Sequence, residues 1–123
     1  MSPQRRSGTA PYTQAQVQAG KVQYAQSCAL CHGAQLQGVS APTLTGSSFG
    51  MSHLTVESLQ TIVTKQMPLT APASLKPDQY AAIMAYLLAS NCVKAQDATT
   101  PFPATVPASA SNLVLSGANC PVK

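Results

Sequence analysis

The sequence has no tryptophan and few aromatic or charged residues, and each scarcity excludes something. Aromatic residues are 5% and charged residues 8% of the 123 positions, whereas roughly a quarter of an average domain is charged. The formal net charge is +4, but so few lysines and arginines form no dense basic stripe, which excludes nucleic-acid binding. No apolar run of about eighteen residues occurs, so no transmembrane segment is predicted.

The scarcity of large side chains also limits the core. Hydrophobic residues make up 45% of the chain, yet only two residues are phenylalanine. Burial is already marginal in a chain this short, so a core of alanine, valine and leucine would be thin. A large, flat, apolar cofactor in the middle of the domain would supply what the side chains lack.

Residues 28–32, Cys-Ala-Leu-Cys-His, form the most specific motif. Two cysteines two residues apart, followed directly by histidine, are the attachment signature of c-type haem. Cys28 and Cys31 would form thioether bonds to one porphyrin, and His32 would give an imidazole nitrogen to the iron. Zinc sites and dithiol redox sites also use a C-x-x-C pair, but neither a second ligand pair nor a βαβ pattern supports them here.

Capping signals predict three helices. A capping box at Thr13 begins a helix from Gln14 to about Ser27. Thr55 caps a second helix that ends before Pro68, and Pro77 begins a third that runs to about Ser90. Their apolar faces hold, in order, Val17, Gly20 and Tyr24; Leu59, Ile62 and Val63; Tyr80, Ile83, Met84, Leu87 and Leu88. Gly20 favours close approach of another helix, with a tolerated surface glycine as the alternative.

Composition divides the chain into three parts. Residues 1–12 predict a flexible lead-in, residues 13–92 the folded domain, and residues 93–123 an extended tail rich in Pro, Ala and Ser without helical period. Cys92 and Cys120 are an even pair outside the haem motif, and we expect a disulfide that folds the tail back. Two separate thiols are the alternative.

The sixth ligand of the iron decides what the haem can do. Met67 is favoured because Pro68 holds it extended in a loop, free of a helical surface. The other candidates are Met51, His53 and Met84, or no ligand at all. Met84 lies on the apolar face of a predicted helix, where a core role is expected. A methionine raises the reduction potential and closes the iron to substrates.

Covalent haem and two further cysteines indicate an oxidising compartment outside the cytoplasm. Arg5 and Arg6 resemble the charged start of a signal peptide, but no apolar region follows. We therefore expect a periplasmic or otherwise exported protein in its mature form, whose export signal is not in this sequence.

Four motifs in this order resemble those of class I, mono-haem cytochromes c over about residues 13–91. They are Gly20-x-x-x-Tyr24-x-x-x-Cys28-x-x-Cys31-His32-Gly33, Pro42-Thr43-Leu44-x-Gly46, Met67-Pro68, and Tyr80-x-x-Ile83-x-x-Tyr86-Leu87. The resemblance implies an all-α class I fold of three to four main helices around one covalently bound haem, followed here by the extended C-terminal tail.

The resemblance also implies roles for single residues. Cys28 and Cys31 would carry the thioethers, and His32 and Met67 would be the axial ligands. The Pro42 carbonyl would accept a hydrogen bond from the histidine ring. Leu44 and Leu87 would line the haem pocket, and Gly20 and Tyr24 would meet the terminal helix near Ala85 and Tyr86.

Residues 67–75 resemble cytochrome modules that accompany quinoprotein (PQQ) dehydrogenases. This implies a one-electron carrier, not an enzyme, that takes electrons from a dehydrogenase and passes them to a cytochrome or terminal oxidase, as a monomer or in transient complexes. The alternative is a small haem enzyme or a gas or redox sensor with a labile sixth ligand. It is disfavoured because three acidic residues and one spare histidine offer no acid–base set.

Overall fold

A computed structural model of the chain describes residues 9–28, 54–67, 71, 73–115, 120 and 122. The elements within these residues are, in order, β1 Thr9–Ala10, α1 Gln14–Ser27, α2 Val56–Gln66, α3 Pro77–Ser90, β2 Lys94–Ala95 and α4 Ala108–Ser111. The described part is mostly helical, as predicted. None of its helices is long and apolar enough to cross a bilayer.

The three long helices begin where the capping signals predict. The Thr13 hydroxyl accepts a hydrogen bond from the Gln16 amide at 3.2 Å, and the Gln16 side chain accepts one from the Thr13 amide at 3.2 Å. Thr55 accepts a hydrogen bond from the Ser58 amide at 3.1 Å, and Pro77 is the first residue of α3. The two threonine caps satisfy amide groups that the first turn leaves unpaired, and Pro77 has no N–H group to satisfy.

Helices α1 and α3 approach each other closely at Gly20. A Cβ atom added there would lie 1.9 Å from the Ala82 carbonyl oxygen and 2.9 Å from the Tyr86 Cβ. One turn along, the rings of Tyr24 and Tyr86 have centroids 5.3 Å apart and planes tilted by 48°, a favourable aromatic arrangement. The predicted helix contact is confirmed at Tyr86, although the backbone nearest to Gly20 belongs to Ala82, one turn before Ala85.

Helix α3 is the centre of the core. Residues 80–88 are all buried, so the apolar stripe predicted for one face covers only part of what the helix buries. A helix that is apolar on all sides is surrounded by other elements. Apolar residues of α1, α2 and the chain after α3 join it in a single core.

The end of α3 is a Schellman motif without glycine. Cys92 has φ 67°, in the left-handed region where glycine is usual. The Val93 amide donates to the Leu88 carbonyl at 3.0 Å, and the Cys92 amide donates to the Ala89 carbonyl at 3.1 Å. These two bonds cap the helix carbonyls and turn the chain so that Cys92 leaves the helix axis.

Residues 93–115, which we call the C-terminal segment, pack against the helices. The segment contains β2, the single-turn helix α4 and a bridge between Val114 and Thr55. Phe102 and Leu113 are among its buried side chains. The composition of these residues predicts an extended tail, and most of them do lack helix and strand. Their apolar side chains are nevertheless buried, through pairing with distant parts of the chain.

The residues before α1 are also packed. Strand β1 pairs in parallel with β2, with Thr9 opposite Lys94 and Ala10 opposite Ala95. Tyr12 is buried, and its hydroxyl donates to the Val93 carbonyl at 2.6 Å. The predicted flexible lead-in is therefore wrong for residues 9–12, and its first eight residues lie outside the described part.

A disulfide closes the fold. The structure joins Cys92 to Cys120 with a Cα–Cα distance of 5.3 Å. The Cys120 amide also donates to the Ser90 carbonyl at 2.9 Å. The end of the chain is thus attached to the end of α3.

Candidate cofactor site

An apolar cavity lies between the end of α1, the inner face of α2 and the middle of α3. Including the space that opens to solvent, its volume is about 370 Å³. Its lining residues are Tyr24, Cys28, Leu59, Ile62, Val63, Met67, Ile83 and Leu87. Among the residues that the structure describes, those lining the cavity carry no formal charge at neutral pH. The walls therefore suit a large apolar group.

The C-terminal end of helix α1 positions Cys28 at the cavity. Cys28 is the C-terminal cap of the helix, and its amide donates to the Tyr24 carbonyl at 2.8 Å. Its side chain is half-buried and contributes to the wall. The first cysteine of the haem motif is therefore held at the edge of the apolar space by the last turn of a helix.

The C-terminal end of helix α2 positions Met67 at the same cavity. Met67 is the C-terminal cap of α2 and has an extended backbone, with φ −117° and ψ 151°. This is the conformation expected for a residue before proline. Its half-buried side chain lies in the cavity wall. Two sulfur-containing residues, each at the end of a different helix, thus line one apolar space.

Met84 occupies a different environment. It is fully buried in α3 and is not among the residues that line the cavity. Its position agrees with the core role expected from the helical pattern. Of the two candidate methionines in the described part of the chain, Met67 is the one at the cavity.

Several predicted site residues lie outside the described residues. They are Cys31, His32, Pro42 and Leu44, together with the alternative ligands Met51 and His53. Leu87, predicted to line the haem pocket, is buried and lies in the cavity wall.

Tyr24 connects the helix contact to the cavity. Burial raises the pKa of its hydroxyl well above the ordinary value, and the neighbouring Cys28 and Tyr86 side chains raise it further. The phenol therefore stays protonated and neutral at physiological pH. Its ring is a neutral part of the wall and also packs on Tyr86.

Some residues of the site were not assigned to it from the sequence. Leu59, Ile62 and Val63 were predicted only as the apolar stripe of α2, and Ile83 only as part of the stripe of α3. Their spacing was a usable signal, because Val63 lies four residues before Met67 and Ile83 four residues before Leu87, and residues four apart share one face of a helix.

The hydroxyl of Tyr80 was also missed. It donates to the Met67 carbonyl at 2.7 Å, although Tyr80 is not a lining residue of the cavity. No signal in the sequence points to this bond, because Tyr80 falls on the apolar stripe of α3 like an ordinary core residue.

The residues present fit a haem. A porphyrin requires apolar walls, and in c-type cytochromes it also requires cysteine sulfur for attachment and axial donors to the iron. The cavity has apolar walls on three helices, a cysteine at one side and a thioether at another.

Comparison with known proteins gives a family and a solved relative. The family described as cytochrome C oxidase, cbb3-type, subunit III matches residues 15–87. No curated protein matches the chain. Among solved structures, the sulfane dehydrogenase SoxCD from Paracoccus pantotrophus is similar over 74% of this chain, with 28% sequence identity and a TM-score of 0.54. The matched region covers 54% of that SoxCD chain, about half of its length.

Proposed function

Since the chain belongs to the family described as cytochrome C oxidase, cbb3-type, subunit III, we propose that it is an exported carrier of single electrons that uses one His/Met-ligated haem c. The chain is a cytochrome c domain, whose role is electron transfer and not catalysis.

The cavity is the observation that carries the proposal. It brings Cys28, at the end of α1, and Met67, at the end of α2, to one apolar space. These residues are about forty positions apart in sequence, and their convergence is what attachment at one side and ligation from another require.

The chain's own residues would hold the haem as follows. Cys28 and Cys31 would attach it, and His32 and Met67 would bind its iron. Bound haem supplies reversible one-electron chemistry at a potential set by its axial ligands and its burial. The apolar side chains of α2 and α3 exclude water from the faces of the site, and the neutral Tyr24 adds no charge to it.

A dehydrogenase is the proposed electron donor. The solved relative is described as a sulfane dehydrogenase, which supports an association of this kind of domain with dehydrogenases. Residues 67–75 favour a quinoprotein as the particular donor, and a cytochrome or terminal oxidase is the proposed acceptor. With 8% charged residues, docking would depend more on apolar contact than on charge steering.

The test uses the matured protein and two methionine variants. Met67→Ala should lower the reduction potential by at least about a tenth of a volt, since axial ligands span roughly 0.8 V. It should also let cyanide and carbon monoxide bind quickly. Met84→Leu removes the buried core methionine instead and should leave the potential and ligand binding as in the wild type. Absorption spectra of both oxidation states, with and without each ligand, measure the difference.

Three results would contradict all or part of the proposal. A denatured protein with the mass of the bare chain, after expression with competent maturation machinery, would exclude covalent haem. Rapid cyanide and carbon monoxide binding by the wild type would favour the alternative of a small haem enzyme or sensor. An unchanged spectrum in Met67→Ala would refute the ligand assignment alone.

A further inference from the structure

The hydroxyl of Tyr80 connects the two ends of the segment between α2 and α3. It donates to the Met67 carbonyl at 2.7 Å and accepts from the Leu75 amide at 3.2 Å. The ring itself is buried, with 6% of its surface exposed. A single hydroxyl on α3 therefore bonds both to Met67, which caps the end of α2, and to Leu75, two residues before α3 begins.

The Met67 carbonyl is held a second time. The Ala73 amide donates to it at 3.3 Å, and Ala73 has φ 58°. A left-handed conformation costs a residue with a Cβ atom free energy, so it persists where surrounding contacts stabilise it. The Met67 backbone is thus anchored by Ala73 and, through Tyr80, by α3, whose residues 80–88 are all buried.

We propose that Tyr80 is a positioning residue that keeps the Met67 thioether in the cavity and so keeps the iron closed to external ligands. This inference rests on the proposed function, in which Met67 binds the iron. Tyr80 does not line the cavity, so it acts on Met67 through the backbone. A methionine side chain is flexible about three bonds, and fixing its backbone limits how far the sulfur can move from the site.

A matched control is present in the same protein. Tyr12 is also buried, at 4% exposed, and its hydroxyl also donates to a backbone carbonyl, that of Val93, at 2.6 Å. This bond joins the residues before α1 to those after α3 and does not involve Met67. Tyr80→Phe and Tyr12→Phe therefore each remove one buried hydroxyl and one bond to a carbonyl, but only the first releases Met67.

The experiment measures cyanide binding to the oxidised holoprotein, with urea unfolding of the same samples. We expect each variant to raise the unfolding equilibrium constant by about tenfold to a hundredfold, the effect of losing the one or two hydrogen bonds that the buried hydroxyl makes. Cyanide should bind about tenfold faster to Tyr80→Phe, with a weakened methionine–iron absorption band. Tyr12→Phe should stay within about twofold of the wild type in cyanide binding, because its lost bond does not hold the ligand.

Equal cyanide rates in the two variants would overturn the proposal, since the effect would then follow general stability. Met67→Ala separates this failure from that of the proposed function. If Met67→Ala opens the iron but Tyr80→Phe does not, Met67 is the ligand and Tyr80 does not position it. If Met67→Ala changes nothing, the ligand assignment fails and the role of Tyr80 fails with it.

A measurement on the wild type covers the case in which Tyr80→Phe does not fold. The Leu75 amide should be protected from hydrogen exchange in the holoprotein, because it donates to the Tyr80 hydroxyl. Rapid exchange of this amide would contradict the bond and the proposal together.

Discussion

The α1–α3 pair and the C-terminal segment both pack on the core, but different interactions hold them. Helices α1 and α3 pack directly against each other. Gly20, which has no side chain, lets the Ala82 backbone approach, and the Tyr24 ring packs on the Tyr86 ring. The C-terminal segment adds hydrogen bonds of its backbone groups to distant residues, besides its buried side chains. The contact between the helices requires its residues to recur at a helical period, which is visible in the sequence. The hydrogen bonds of the C-terminal segment require no regular spacing of residue types, so the sequence does not show them.

The attachments of the C-terminal segment reach two of the long helices. The Gln16 side-chain amide of α1 donates to the Phe102 carbonyl at 3.1 Å and accepts from the Phe102 amide at 2.7 Å. At the start of α2, the Val56 amide donates to the Leu113 carbonyl at 2.9 Å. The segment therefore braces the helices that carry Cys28 and Met67, although it contributes no described residue to the cavity wall.

The largest effect should come from breaking the helix pair. Gly20→Val should destabilise the protein by more than about 4 kcal/mol, because the new Cβ would overlap a backbone oxygen that cannot rotate away. Ala19→Val adds the same side chain at an exposed position of α1 and should cost less than about 0.7 kcal/mol through helix propensity. Urea unfolding compares the two. A stable Gly20→Val would contradict the close approach.

The next largest effect should come from opening the disulfide. The double variant Cys92→Ser, Cys120→Ser should lose roughly 3–4 kcal/mol of unfolding free energy, since the bond closes a loop with a sequence separation of 28. The cavity should persist, because backbone bonds still attach the C-terminal segment to α1 and α2. A loss below about 1 kcal/mol would contradict the expected stabilisation by loop closure.

A single buried side chain of the segment tests whether it belongs to the core. Leu113 is 1% exposed, and Leu113→Ala should cost about 2–3 kcal/mol through lost burial and the cavity left behind. Thr105→Ala changes an exposed residue of the same segment and should stay within about 0.5 kcal/mol of the wild type. Similar values for both variants would show that the segment is loosely packed in solution.

The smallest effect concerns the turn at Asp97. Its carboxylate accepts hydrogen bonds from the Thr100 amide at 2.7 Å, the Thr100 hydroxyl at 2.8 Å and the Thr99 amide at 2.9 Å. These bonds, the Thr100 amide first, lower the pKa of Asp97 from 3.8 to about 2. The turn should therefore be stabilised above about pH 4, and this contribution should disappear as the pH falls towards 2.

Carboxyl titration by NMR measures that midpoint directly. Asp97→Asn should remove the part of the pH dependence that arises between pH 4 and 2, so the wild type should lose more stability than the variant over this range. A midpoint at or above the ordinary value of 3.8 would mean that the turn is not formed in solution.

The helices could be predicted because their signals are local. Thr13 with Gln16, Thr55 and Pro77 each act within one turn, so a single sequence contains all that is needed to locate them. The Cys-Ala-Leu-Cys-His motif likewise identified Cys28, and the proline that follows Met67 made Met67 a candidate iron ligand. Both now lie at one cavity, while the ligand role of Met67 remains a prediction.

The packing of the C-terminal segment could not be predicted in the same way. Its bonds join residues far apart in sequence, such as Gln16 with Phe102 and Thr55 with Val114. The turn at Cys92 has no glycine to mark it, although its φ is 67°. The composition of the segment, rich in proline, alanine and serine, therefore predicted a tail, although its larger apolar side chains are buried.

The sequence by itself determined the cofactor class and the starts of the helices, because each depends on chemistry or sterics within a few neighbouring residues. It also favoured a close helix contact at Gly20, but only the tertiary structure identifies Ala82 as the partner. Tertiary structure alone decided that α3 is buried on all sides, that the C-terminal segment braces α1 and α2, and that the Tyr80 hydroxyl meets the Met67 carbonyl. Those features depend on which distant backbone groups meet, and a hydrogen bond to a backbone carbonyl does not require any particular residue type at the acceptor.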